Sequence, residues 1–426
     1  MAIRTLVVDD SIVFRKCVRD ALSAIPDVEV VDIARDGTAA IEKIVRLRPD
    51  LVTLDVEMPG LDGLGVLEEL GKRNVPANVI MLSSLTRRGA EVTTQALSLG
   101  ALDFILKPES SSVQENLLLL QRELSKRIGA FQHRLTGGRQ SSTPALGVES
   151  SATGRLKADR AGVTTLSKVE PKASGFRAGS EGQANGQSDI SMSRSPAKAS
   201  PALTYCDLVV IGISTGGPKA LAQVVPEIPG AFPVPIVIVQ HMPPLFTATM
   251  ASHLDARSEL KVIEATDGLV LSAGQVVIAP GGRQMALEST SGDRLMTRIT
   301  DASPIKGCKP SVDYCLSSLD AQWAGRTLAV IMTGMGDDGL DGCRELARLG
   351  GSVWAQSEAS CTVYGMPRQV VDQGLTDSIF NLPDLSNWLT GLHRSSRPGR
   401  RTRRSIAVDS NNSVAGPNSE PIGGAR

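Results

Sequence analysis

Val209-Val-Ile-Gly-Ile-Ser-Thr-Gly-Gly-Pro218 is an apolar run that breaks at a serine into a glycine-rich turn. The apolar half, starting from Asp207, has the length and composition of a short buried strand. A helical pattern, Lys219-Ala-Leu-Ala-Gln-Val-Val, follows the turn. Gly212, Ser214 and Gly216 therefore fit G-x-S-x-G at a strand-to-helix junction, which lifts a serine hydroxyl beside backbone N–H groups at a helix start. Alone, such a motif more often marks a glycine turn that caps a helix or cradles a phosphate. A nucleophilic reading needs a base to take the serine proton and a carboxylate to orient that base.

Outward from this turn, strand–helix alternation continues. Pro235-Ile-Val-Ile-Val reads as a second buried strand ending in Gln240-His241-Met242-Pro243, with further strands at Val262–Glu264 and Gln275–Ile278. The segment after Ala279-Pro-Gly-Gly282 is ambiguous. Leu328-Ala-Val-Ile-Met is another strand, ending in Thr333-Gly-Met-Gly-Asp-Asp-Gly339; a helix (342–349) and a strand (352–355) follow. A mainly parallel, doubly wound sheet would place those strand ends on one edge. Ser214, His241 and either Asp337 or Asp338 can then converge as nucleophile, base and orienting carboxylate. Of the four histidines, His133 and His393 are read as linker and tail and His253 as helical, which leaves His241 as the base. Met242 and Met335 fit packing and substrate contact equally, Trp323 and Trp354 are read as core, and Arg257 and Arg283 as solvated surface.

The first 110 residues alternate in the same way. Strands are expected at 5–8, 28–34, 51–54, 78–82 and 103–106, with helices at 12–24, 38–46, 63–72 and 88–99, again a doubly wound parallel sheet. Asp9, Asp10, Asp55, Ser83 and Lys107 all fall at carboxyl ends of strands. Converging carboxylates suit a hard cation such as Mg²⁺, while a lysine and a hydroxyl suit an incoming phosphoryl group.

Between the two sheets, from Gly129 to Pro201, hydrophobic periodicity collapses into Ser-, Ala-, Gly-, Lys- and Pro-rich sequence, read as a disordered tether. It is preceded by a helical extension over 113–126. The expected organisation is a first domain at 1–127, a linker at 128–203, a second domain at 204–394 and a disordered basic tail at 395–426. Lys+Arg and Asp+Glu balance at 45 each, and aromatic residues make up only 3%. That leaves no global field for nucleic acid or membrane and few stacking platforms. Six cysteines without a C-x-x-C pair are read as reduced packing residues. With no signal-like segment and no long apolar run, a cytoplasmic protein without membrane insertion is expected.

D-D-S at 9–11, L-D-V-E-M-P-G at 54–60, S-S at 83–84 and K-P at 107–108 resemble a two-component receiver domain, a flavodoxin-like fold. The resemblance implies that Asp55 accepts phosphate and that Asp10, Asp55 and the Glu57 carbonyl hold Mg²⁺, with Asp9 in support. It also implies that Lys107 and Ser83 sense the phosphoryl group, with Phe104 as the aromatic switch. G-I-S-T-G-G-P, Q-H-M-P and T-G-M-G-D-D-G resemble the chemotaxis protein-glutamate methylesterase family, a Rossmann-like serine hydrolase. That resemblance implies Ser214, His241 and Asp338 as the triad, the Met335 amide with groups at Thr215 and Gly216 as oxyanion donors, and no cofactor at this site. The implied substrates are methyl-accepting chemoreceptors, demethylated and deamidated under phosphorylation from a histidine kinase. A non-enzymatic partner-binding effector and a hydrolase of small free esters are the competing readings.

Overall fold

The computed structural model describes residues 2–137 and 205–394. The expected linker and basic tail, apart from their edges, lie outside the described residues. In the N-terminal half, β1 (Ile3–Val8), β2 (Val28–Ala34), β3 (Leu51–Asp55), β4 (Val79–Ser83) and β5 (Asp103–Leu106) form one parallel sheet in the order β2-β1-β3-β4-β5. Between them run α1 (Ile12–Ser23), α2 (Gly37–Leu47), α3 (Gly63–Lys72) and α4 (Arg87–Ser98). Each helix starts on a short polar side chain that accepts a hydrogen bond from an otherwise orphaned amide: Ser11 from Phe14, Asp36 from Ala39, Asp62 from Gly65 and Thr86 from Gly89.

The fifth helix, α5, departs from expectation. It spans Val113–Gly137, beyond the 126 expected from composition. Leu120, Leu124, Ile128 and Phe131 recur every three or four residues and are all buried, in one cluster with Val18, Ala21, Leu22 and Ile25. Packing against α1 outweighs the loss of hydrophobic density that suggested a linker from Gly129. His133 accordingly lies in a helix.

In the C-terminal half, β6 (Tyr205–Cys206) precedes β7 (Leu208–Ile213), α6 (Gly217–Val224), β8 (Ile236–Gln240) and α7 (Phe246–Asp255). β9 (Lys261–Glu264) and β10 (Gln275–Ile278) follow. The ambiguous segment is an antiparallel hairpin, β11 (Gln284–Thr290) and β12 (Arg294–Thr300), followed by two short helices, α8 (Val312–Ser317) and α9 (Ala321–Ala324). Then come β13 (Thr327–Ile331), α10 (Leu340–Arg348), β14 (Ser352–Gln356), α11 (Met366–Asp372), β15 (Ser378–Phe380), α12 (Leu385–Thr390) and β16 (His393–Arg394). Seven strands make one wholly parallel sheet in the order β15-β14-β13-β7-β8-β10-β9. β16 pairs with β6 in a separate two-stranded ladder, so His393 belongs to a strand and not to a tail. All of β7, β8 and β13 are buried, as expected for central strands covered on both faces.

Both sheets belong to one compact unit. A single apolar cluster runs from Met81, Leu97 and Phe104 of the first half to Phe246, Met250 and Leu254 of the second. Among the described residues, no helix is long and apolar enough to cross a membrane.

Candidate active site

β7, β8 and β13 are neighbours at the centre of the larger sheet, so the loops leaving their carboxyl ends meet. The Ser214 amide donates to the Thr333 carbonyl (3.0 Å), and the His241 amide donates to the Ile213 carbonyl (3.2 Å). Thr333, fully buried, donates its hydroxyl to the Thr215 carbonyl (2.9 Å). Gly216 has φ +80°, and a Cβ there would lie 2.5 Å from Thr362; this position needs glycine for both reasons. The buried Gln240 side chain holds the turn from the other side, donating to the Ser214 carbonyl at 3.0 Å.

His241 and Asp338 are joined by a 2.7 Å hydrogen bond between Nε2 and Oδ2. Asp338 is buried and also accepts from the Ser311 hydroxyl (2.7 Å) and from the amides of Val312 (2.7 Å) and Asp313 (3.1 Å) at the start of α8. Burial works against its charge, but the His241 bond, the Ser311 hydroxyl and the Val312 amide together hold its carboxyl below the usual range. For His241, burial favours the neutral ring. The Asp338 bond and the Cys308 thiol outweigh that, raising it to about 9. Asp337 instead lies beside the Lys306 ammonium (3.4 Å) with half its side chain exposed, so the choice between the two aspartates falls on Asp338.

Ser214 is half-buried and lines one cavity of about 500 Å³ with His241, Cys308 and Met335. Among the described residues its hydroxyl has no hydrogen-bond partner, so the serine–imidazole contact is not closed in this state. The amides of Thr215, Gly216 and Met335 likewise donate to no other described group, which leaves three N–H donors free around the serine.

The opposite wall of the cavity comes from the N-terminal half, with Asp103, Phe104, Arg122 and Arg127 among its residues. The Thr215 hydroxyl donates to Asp103 Oδ2 (3.3 Å), which also faces Arg127 Nε at 3.3 Å. Phe104 stacks on Phe246 with centroids 4.6 Å apart and planes 9° from parallel. These contacts link residues far apart in sequence, and Asp103, Phe246 and Ser311 stand in none of the motifs quoted above, while Gln240 opens Q-H-M-P without a role assigned to it from sequence. Cys308, read from sequence as packing, is half-buried with its Sγ 3.7 Å from His241 Nδ1. Trp323 and Trp354 are buried as expected, and Met242, left open from sequence between packing and substrate contact, is buried as well.

At the carboxyl edge of the smaller sheet, Asp9, Asp10 and Asp55 bring carboxylate oxygens within 4.8 Å of one another. Lys107 Nζ reaches Asp55 (2.7 Å) and Asp9 (2.9 Å) and lies over the Phe14 ring at 4.6 Å. Burial raises the Asp55 carboxyl to about 6, against the pull of Lys107 and with a further push from Asp9. Three carboxylates gathered at one edge against the single Lys107 ammonium leave excess negative charge, and the Glu57 carbonyl accepts no hydrogen bond among the described residues, so this oxygen set fits a hard divalent cation. Ser83 is not turned toward this cluster. Its hydroxyl accepts from Thr93 (2.8 Å) and lies 3.3 Å from the Gly89 carbonyl, held inward by α4. Phe104 likewise sits against the second half rather than at the acidic edge, because Phe246 offers it a flat apolar partner.

An acidic, lysine-bearing edge on one parallel sheet and a Ser–His–Asp grouping on another define a receiver domain joined to a hydrolase-type effector. Residues 5–117 match the family described as response regulator receiver domain, and residues 209–389 match CheB methylesterase. A protein-glutamate methylesterase/protein-glutamine glutaminase of Desulfotalea psychrophila is 40% identical over 88% of this chain and 94% of its own length. One from Desulfitobacterium hafniense is also 40% identical, over 90% of this chain and 96% of its own. The crystal structure of the Thermotoga maritima CheB methylesterase catalytic domain is 39% identical, covering 44% of this chain and 98% of that one, with a TM-score of 0.42. The chain belongs to the protein-glutamate methylesterase/protein-glutamine glutaminase family.

Proposed function

We propose that the chain is a receiver-controlled chemotaxis hydrolase in which Ser214 attacks glutamyl methyl esters and glutamine amides of chemoreceptors. The observation that carries this reading is the Ser214, His241 and Asp338 grouping at adjoining strand ends, with His241 bonded to a carboxylate that is itself held by three further donors. Asp338 accepts from Nε2–H, so in the neutral ring Nδ1 carries the lone pair and acts as the base. As Ser214 Oγ bonds the substrate carbonyl carbon, its proton passes to Nδ1. The carbonyl oxygen takes the negative charge facing the Thr215, Gly216 and Met335 amides. The imidazolium returns that proton to the leaving group, and methanol departs from an ester or ammonia from an amide. Water, deprotonated by the same nitrogen, then releases the glutamate carboxylate and restores Ser214.

In the receiver, Asp55 is the phosphoacceptor, served by a histidine kinase as donor. Mg²⁺ held by Asp10, Asp55 and the Glu57 carbonyl, with Asp9 in support, would neutralise the crowded carboxylates and phosphoryl oxygens. Lys107 pairs with the acidic edge, and Ser83 is free to swing from Thr93 toward a phosphoryl oxygen. Asp103 on Thr215 and Phe104 on Phe246 supply the contacts by which the receiver occludes the serine edge. Phosphorylation favours the arrangement in which they are broken. The enzyme is read as cytoplasmic.

Mass spectrometry of a methylated receptor cytoplasmic fragment incubated with the protein, Mg²⁺ and a small phosphodonor tests this reading. Loss of glutamyl methyl groups together with conversion of glutamine to glutamate is expected. A fragment unchanged by folded protein contradicts it.

A further inference from the structure

His241 meets two different groups across its ring: Asp338 at Nε2 and the Cys308 thiol at Nδ1. The carboxylate holds one proton on Nε2, so Nδ1, which carries the lone pair whenever the ring is neutral, faces the sulfur across 3.7 Å. That separation is long for a thiol hydrogen bond. It is close to the roughly 3.6 Å between a nitrogen and a sulfur that share one tetrahedral zinc ion at Zn–N about 2.0–2.1 Å and Zn–S about 2.3 Å. Asp338 on the far nitrogen completes the carboxylate–histidine–metal relay that orients imidazole ligands. His241, Cys308 and Asp338 bring ligand-type atoms within 4.8 Å of one another. Asp338 already accepts four hydrogen bonds, which casts it as the outer partner and not the third ligand.

The neighbourhood tolerates a cation. The two lysines flanking Cys308 are tied away by carboxylates, Lys306 to Asp313 (2.9 Å) and Asp341 (2.8 Å) and Lys309 to Asp301 (2.8 Å). The cavity of about 500 Å³ that Cys308 and His241 share with Ser214 leaves room for water to fill the open positions.

We propose that His241 Nδ1 and Cys308 Sγ form a binding site for a borderline-soft divalent ion, Zn²⁺, and that its occupancy turns the hydrolase off. Zn²⁺ takes the thiolate and the imidazole lone pair, and the thiol proton, together with the Nδ1 proton of a protonated ring, passes to solvent, so that binding tightens as pH rises. With Nδ1 committed to the metal, nothing accepts the Ser214 proton. Two protein ligands make this a weaker site than a four-ligand structural one, suited to reversible control. The inhibition rests on the reading of His241 as the base; the binding does not.

The test uses the full chain, stripped of metal and returned to saturating Mg²⁺, with Co²⁺ as a spectroscopic stand-in for Zn²⁺. A thiolate-to-cobalt charge-transfer band is expected in the wild type and in Cys361→Ser, and is expected to vanish in Cys308→Ser. Zn²⁺ should also inhibit methanol release from methylated receptor, with the half-inhibiting concentration raised at least about tenfold in Cys308→Ser relative to the wild type. Protection of Cys308 from alkylation by Zn²⁺, read by mass spectrometry on the wild type, needs no variant. Absence of the band, its survival in Cys308→Ser, or equal alkylation with and without Zn²⁺ overturns the site. A Cys308-dependent band with undiminished hydrolysis overturns the inhibitory role, and with it the assignment of His241 as base, while leaving the metal site standing.

Discussion

At the scale of single residues, hydrolysis depends on the His241–Asp338 pair. A base whose bonded carboxylate and neighbouring thiol raise it to about 9 is mostly protonated at neutral pH. Only the neutral ring can take the Ser214 proton, so hydrolysis should climb with pH and level off near pH 9. A pH–rate profile flat from 6 to 9 would contradict this. In Asp338→Asn the ring loses its anionic partner: the inflection should move to lower pH while the rate drops roughly 10³–10⁴-fold. Asp55 has the opposite requirement, since a cation binds its carboxylate and not its acid form. Because burial raises it to about 6, Mg²⁺ affinity should be full above that pH and fall as pH drops through it. Isothermal titration calorimetry at pH 5, 6 and 7.5 reads the trend, and equal affinity at all three contradicts it. His241 and Asp55 were legible in the sequence because each stands at a strand end, where a parallel sheet must gather them; the strand end left Asp337 and Asp338 open, and only the family resemblance favoured Asp338. Cys308 was not legible. Its partner is 67 positions away, and K-G-C-K-P carries no ligand spacing.

At the scale of elements, strand and helix periodicity located the doubly wound order well wherever strands were continuous apolar runs. It failed where stability comes from packing rather than local pattern. The β11–β12 hairpin lies outside the main sheet and buries Met285, Leu287 and Leu295 in one cluster with Val210 and Val237, and only that tertiary contact defines it. The end of α5 is the same case. Polar residues dominate beyond Gly129, yet Ile128 and Phe131 continue the buried stripe begun at Leu120 and Leu124. Phe131→Ala should therefore destabilise the receiver by about 3–5 kcal/mol, as for a core phenylalanine. Denaturant unfolding monitored by circular dichroism measures it, and a loss under about 1 kcal/mol would mean the helix end is not packed.

At the scale of the whole molecule, an apolar cluster shared by both halves sets receiver against effector, and beside the serine edge it carries two specific contacts, Phe104 on Phe246 and Asp103 on Thr215. An aromatic pair contributes about 0.5–1.5 kcal/mol beyond its buried area, so losing it shifts a closed–open balance by about two- to tenfold. Phe246→Leu, which keeps an apolar side chain in the core, should thus raise hydrolysis by the unphosphorylated protein several-fold and shrink the stimulation by phosphodonor. Unchanged basal activity would show that the stack does not hold the closed arrangement. No sequence motif announces this coupling, because it joins two domains whose motifs are each complete without the other.

The most direct test of the central claim is methanol release from methylated chemoreceptor membranes, comparing wild type with Ser214→Ala, each with and without a small phosphodonor and Mg²⁺. Release by the wild type that rises with phosphodonor, and its absence in folded Ser214→Ala under both conditions, is the predicted result. Equal release by Ser214→Ala, or none by folded wild type under either condition, would contradict the account.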